Sequence, residues 1–136
     1  MFEKNEARGP MNPEVLKNVL AVGFGSALGG IARYGIALAL KNLSGAFPWG
    51  TLCVNALGCF LLGLLWGWFG RHGNTDGAWA LFLSVGFCGG FTTFSTFSKE
   101  ALALLQSGAW TAFVLYLIGS VVVGLVLMLL AYSLAK

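Results

Sequence analysis

Four times along this chain apolar residues continue for about the 20 positions that a helix needs to cross roughly 30 Å of hydrocarbon. The stretches lie at about 18–40, 50–70, 78–105 and 109–134. Such runs leave few folds open. A backbone in lipid must satisfy its own N–H and C=O groups, so each run is expected to be a helix. The chain reads as an all-α membrane protein with one four-helix domain over residues 18–136. Turn formers separate the runs: Lys41-Asn42-Leu43-Ser44-Gly45 with Pro48, Arg71-His72-Gly73-Asn74-Thr75-Asp76-Gly77, and Gln106-Ser107-Gly108. Trp49, Trp66, Trp68, Trp79, Trp110 and Tyr132 fall near run ends, where aromatic residues anchor helices at the interface.

A chain of 136 residues that is 57% hydrophobic and 10% charged has too little interior to enclose a wide pore, so oligomerisation is expected. Residues 1–17 mix Glu3, Lys4, Glu6, Arg8, Glu14 and Lys17 with Pro10 and Pro13, which reads as a flexible extension. The long apolar run that follows does not fit a cleavable signal, and Met11 offers an alternative start. The net charge of +3 comes from scattered basic residues with no cluster, so no nucleic-acid partner is expected. The lipid bilayer is the expected partner. Lys4, Arg8, Lys17, Arg71 and Lys136 share one side, and most of that excess lies in the extension. Orientation is therefore weakly specified, and insertion both ways is compatible with it.

Cys53, Cys59 and Cys88 lie in apolar runs without metal-ligand spacing, so neither a disulfide framework nor zinc is expected. His72 sits in a polar loop with no ligand partners. No nucleotide-binding loop, nucleophile elbow or pair of acids within a span appears, so the chain is not read as an enzyme or an ATP-driven pump. Passive permeation fits this inventory better.

The third run changes character at Gly86-Phe87-Cys88-Gly89-Gly90, after which polar and aromatic residues alternate. A glycine pair at mid-membrane is a place for a helix to unwind, and its freed carbonyls would attract a cation. Close approach of a neighbouring helix explains the same glycines, as it does Gly25-xxx-Gly29, Gly63-xxx-Gly67 and Gly86-xxx-Gly90. Phe94 and Phe97 lie about 60° apart on a helix. They either pack or turn their positive ring edges to a small anion. Asn55 has donors for an anion, with Thr51 one turn earlier on the same face, and an interhelical hydrogen bond competes as its role. Tyr116 and Ser120 make a second short polar stripe. Arg33 and Glu100, near span ends, are read as vestibule or structural charges that snorkel or pair.

Gly89-Gly90-Phe91-Thr92-Thr93-Phe94-Ser95-Thr96-Phe97-Ser98, with Trp49-Gly50-Thr51-Leu52-Cys53-Val54-Asn55 and Gly29-Gly30-Ile31-Ala32-Arg33-Tyr34, resembles the bacterial fluoride channel family known as Fluc or CrcB. The resemblance covers nearly all four spans in order. It implies an antiparallel, dual-topology homodimer in the bacterial inner membrane, its third helix broken near the middle and two fluoride pathways along the interface. In similar proteins the positions of Asn55, Phe94 and Phe97 line the pathway, and those of Thr51, Tyr116 and Ser120 continue it as a polar track. Gly124, one turn after Ser120, carries no hydroxyl to extend that track. The resemblance also implies a structural sodium ion at the dimer centre, held by backbone carbonyls of Gly89 and Thr92, and supportive roles for Arg33 and Glu100. The competing readings are a small dimeric drug or cation exporter and a non-transporting membrane scaffold.

Overall fold

The structure, a computed structural model, describes residues 12–43 and 45–136. Helix α1 (Pro13–Ala39) starts five residues before the apolar run does. Asn12 caps it, its side chain accepting the Glu14 amide at 3.0 Å, and Pro13 supplies a backbone angle already suited to a first turn. The extension expected over 1–17 is thus helical from Pro13, while residues 1–11, Met11 among them, lie outside the described residues. A 3-10 turn (Lys41–Leu43) leads on to helix α2 (Trp49–His72), which ends where Gly73 takes the left-handed conformation at φ 66°.

The third span falls into two half-helices. The first, α3, consists of Ala78–Ala80, a π-helical stretch Leu81–Cys88 and Gly89–Phe91 in succession. The second, α4, is Phe94–Gln106, and helix α5 (Trp110–Ala135) closes the chain. Pro13–Ala39, Trp49–His72, Ala78–Gln106 and Trp110–Ala135 are each long and apolar enough to cross a membrane. The protein is an all-helical, multi-pass membrane protein with its third span bent.

The break does not fall on the glycine pair. Gly89 and Gly90 belong to a helical turn, with Gly89 at φ −64° and ψ −40°, and extended backbone appears at Thr92 (φ −81°, ψ 160°) and Thr93 (φ −151°, ψ 120°). Gly90 serves contact instead: a Cβ there would lie 2.8 Å from Ser26 Cα. Gly25, Gly29 and Gly86 meet the facing backbone in the same way, so α1 and α3 run parallel with their main chains touching. Helices α2 and α5 are likewise parallel and close, since a Cβ on Gly67 would lie 2.8 Å from the Tyr132 carbonyl. All three glycine pairs of the sequence are therefore used for helix contact.

Among the described residues inward packing is mostly of small residues and rings, with Val54 and Leu104 beside them. Tyr116, Val54 and Cys88 are the most enclosed large side chains, and Tyr116 forms a cluster with Ala101 and Leu104. Phe24, Ile31, Leu115 and Leu129 are exposed, as expected of surfaces that face lipid.

Candidate functional site

The break is pinned from α2. Asn55 Nδ2 donates to the Thr93 carbonyl at 3.1 Å, and the Thr93 amide donates to Asn55 Oδ1 at 2.8 Å. This two-way pairing takes the place of the helical bonds that the extended backbone forgoes. The interhelical hydrogen bond expected of Asn55 is thus present: one amide proton is committed between helices, the other is left over, and the residue lines an open groove. Thr93 then caps α4, its hydroxyl accepting the Thr96 amide at 3.2 Å. Thr92 turns its own hydroxyl back to the Cys88 carbonyl at 2.9 Å.

That groove, of about 530 Å³, runs along one face of the molecule past Asn55, Thr92, Thr93, Phe94, Phe97 and Ser120. Gly89, Cys59, Cys88 and Ser84 also border it, so its wall is apolar with a few polar points. The Phe94 and Phe97 rings are 5.7 Å apart and tilted by 38°. Their surroundings differ. Phe94 is 78% exposed, whereas Phe97 packs on the Tyr116 ring at 4.9 Å. Ser120 Oγ is buried and hydrogen-bonds to no protein group.

Behind the phenylalanines, three residues from three helices converge. Thr51 Oγ1 donates to Glu100 Oε1 at 2.9 Å, and the Tyr116 hydroxyl donates to Glu100 Oε2 at 2.7 Å. Two hydroxyl donors thus compensate a carboxylate inside a membrane span. Glu100 also reaches a surface crevice of about 270 Å³ bordered by Ala46, Pro48 and Ser107. Among the described residues the one ion pair is Lys17 with Glu14, so Glu100 is held by hydroxyls and is paired with neither Arg33 nor Lys99.

Arg33 lies apart from the groove. It borders a separate hollow of about 270 Å³ together with Gly30, Tyr34, Thr51, Thr93 and Thr96. Tyr116 and Ser120, neighbours on one helical stripe, also part company: Ser120 borders the groove, while Tyr116 is wholly buried against Phe47, Phe97 and Glu100. Thr93, which holds the break through its amide and its hydroxyl, is not among the site residues expected from the sequence. The available signal was a hydroxyl opening the polar half of the third run, three residues before Thr96, which is where an N-cap belongs.

The family model described as CrcB-like protein, Camphor Resistance (CrcB), matches residues 20–132. A protein of Methylobacterium nodulans named fluoride-specific ion channel FluC is 50% identical over 108 residues, covering 79% of this chain and 87% of its own. One of Thermus thermophilus with the same name is 48% identical over 120 residues, covering 88% and 95%. One of Phocaeicola vulgatus, also so named, is 45% identical over 112 residues, covering 81% and 91%. The family model reaches into all four spans and contains the pinned break in the third, and the chain belongs to the CrcB family.

Proposed function

We propose that this protein is a fluoride channel that lets the anion leave the cell passively, and that it is not an enzyme. The observation that carries the reading is the groove, which brings Asn55, Phe94, Phe97 and Ser120 together on one open face. The relatives named fluoride-specific ion channels, at 45%, 48% and 50% identity, support the choice of ion. Fluoride is small and strongly hydrated, so replacing its water needs donors and polarised ring edges supplied in stages. The uncommitted Asn55 amide proton, the Ser120 hydroxyl and the edges of Phe94 and Phe97 are such groups. Beyond Phe97, Tyr116 and Thr51 continue the polar track toward the surface crevice, which requires their hydroxyl protons to turn from Glu100 to the anion. Arg33, in its own hollow, attracts anions toward one mouth.

A groove open along one side needs a second wall. The reading is therefore an antiparallel, dual-topology homodimer in the bacterial inner membrane, with one pathway on each side of the interface. The exposure of Phe94 supports this, since a large ring at the groove edge is suited to a partner surface. A structural sodium ion at the dimer centre fits the break: Gly89 and Thr92 border the groove, and extended backbone there interrupts the helical ladder and frees carbonyls. The Gly89 and Thr92 carbonyls would hold the ion, whose positive charge would offset their dipoles. Hydrogen fluoride enters cells as a neutral acid and dissociates inside, so a passive anion path is enough to clear it.

The test is fluoride release from liposomes holding the purified protein, followed with a fluoride electrode under an imposed gradient. Release well above protein-free liposomes is expected, and Phe94→Ile should slow it by about tenfold or more, a barrier change of about 1.4 kcal/mol. Release no faster than from empty liposomes, by a folded preparation, would sink the reading. Dual insertion is checked with single cysteines labelled from each side in a background without Cys53, Cys59 and Cys88; labelling from one side only contradicts it.

A further inference from the structure

In an unbroken helix the Thr93 amide would close onto the Gly89 carbonyl, and the Thr96 amide onto the Thr92 carbonyl. Neither amide is available. The Thr93 amide is given to Asn55 Oδ1 at 2.8 Å, and the Thr96 amide is given to Thr93 Oγ1 at 3.2 Å. Thr93 is party to both diversions, once through its backbone and once through its side chain. Its hydroxyl proton is also committed, donated to Thr96 Oγ1 at 3.1 Å. The residue is 8% exposed, so water competes little for these bonds.

We infer that Thr93 is the positioning residue of the cation site: its own amide is given to Asn55 and its hydroxyl oxygen takes the Thr96 amide, so that neither N–H occupies the Gly89 or the Thr92 carbonyl. The inference rests on the sodium reading above and adds a residue to which that reading gave no part. A hydroxyl is required at position 93, because an apolar side chain of the same shape leaves the Thr96 amide to rewind onto the Thr92 carbonyl. Serine keeps the acceptor and valine keeps only the shape. The effect is one of availability, since Thr93 itself contributes no ligand to the ion.

The experiment is the melting temperature of the purified full-length protein in detergent, titrated with sodium chloride against N-methyl-D-glucamine chloride at constant ionic strength. A ligand that binds only the folded state raises stability with the logarithm of its concentration, so the titration yields an apparent affinity. Thr93→Ser should keep the sodium dependence of the parent chain, and Thr93→Val should weaken the apparent affinity by about tenfold. Should Thr93→Val give no folded protein, Thr93→Cys, similar in size and a weak acceptor, is expected to weaken it in the same direction. A valine or cysteine variant with undiminished sodium affinity overturns the role of Thr93. No sodium dependence in the parent chain overturns the sodium reading itself, a different result from the same titration.

Discussion

Half-helix α3 meets α1 backbone to backbone at Gly25, Gly29, Gly86 and Gly90, whereas α4, on the far side of Thr92 and Thr93, is held by side chains. There the Asn55 amide, the Thr93 cap, the Glu100 carboxylate with its two hydroxyl donors and the Phe97–Tyr116 ring contact do the holding. Within one span, then, position is set first by the absence of side chains and next by their chemistry. Main chains in contact cannot retreat, so the first half is placed rigidly and responds to volume. Hydrogen bonds and rings tolerate small changes of volume and respond to the loss of a polar atom.

The difference is broken most severely at Gly29. A Cβ there would lie 2.7 Å from the Phe91 amide nitrogen, so Gly29→Val is expected to cost roughly 3 kcal/mol or more and to abolish the folded peak in size-exclusion chromatography. A normal peak and melting temperature would show that the α1–α3 contact is not rigid. In the other half, Tyr116→Phe removes one of the two donors to Glu100 without changing the ring. About 1–3 kcal/mol should be lost in thermal or denaturant unfolding, with the protein still folded and fluoride release reduced. A loss as large as that of Gly29→Val would erase the distinction between the halves. Gly23 sharpens it at the low end, because a Cβ there meets nothing within 4 Å although it is two residues from Gly25. Gly23→Ala should leave release unchanged and stabilise by at most about 1 kcal/mol. A clear fall in melting temperature would show that glycines on α1 matter for more than contact.

Much of this was legible in the residues, and the misreadings are specific. The four spans follow from run length, and their ends shifted where a cap outweighed hydropathy, as Asn12 and Pro13 did for α1. Of the two readings of the glycine pair at 89–90, close helix contact holds at Gly90, and the unwinding falls two residues further on. Local weakness of a helix fixes where unwinding is cheap, but the unwinding itself needs partners for the freed groups, and Asn55 supplies them at Thr93. Glu100 could be read as a charge near a span end. That it is held by Thr51 and Tyr116, 49 and 16 residues away in sequence, depends on contacts no local pattern encodes.

By itself the sequence determined that the chain crosses a membrane four times in helices, that glycines permit close helix contact, and which polar and aromatic residues are out of place in lipid. Each of these is a matter of length, period or transfer energy along a single segment. Only the tertiary structure decided how those residues are used. It decided that the break falls at Thr92 and Thr93, that Ser120 borders the groove while Tyr116 is buried behind it, and that Arg33 stands in a hollow of its own. The reason is that a polar group in a low-dielectric interior is governed by whichever partner completes its hydrogen bonds, and those partners lie on other helices.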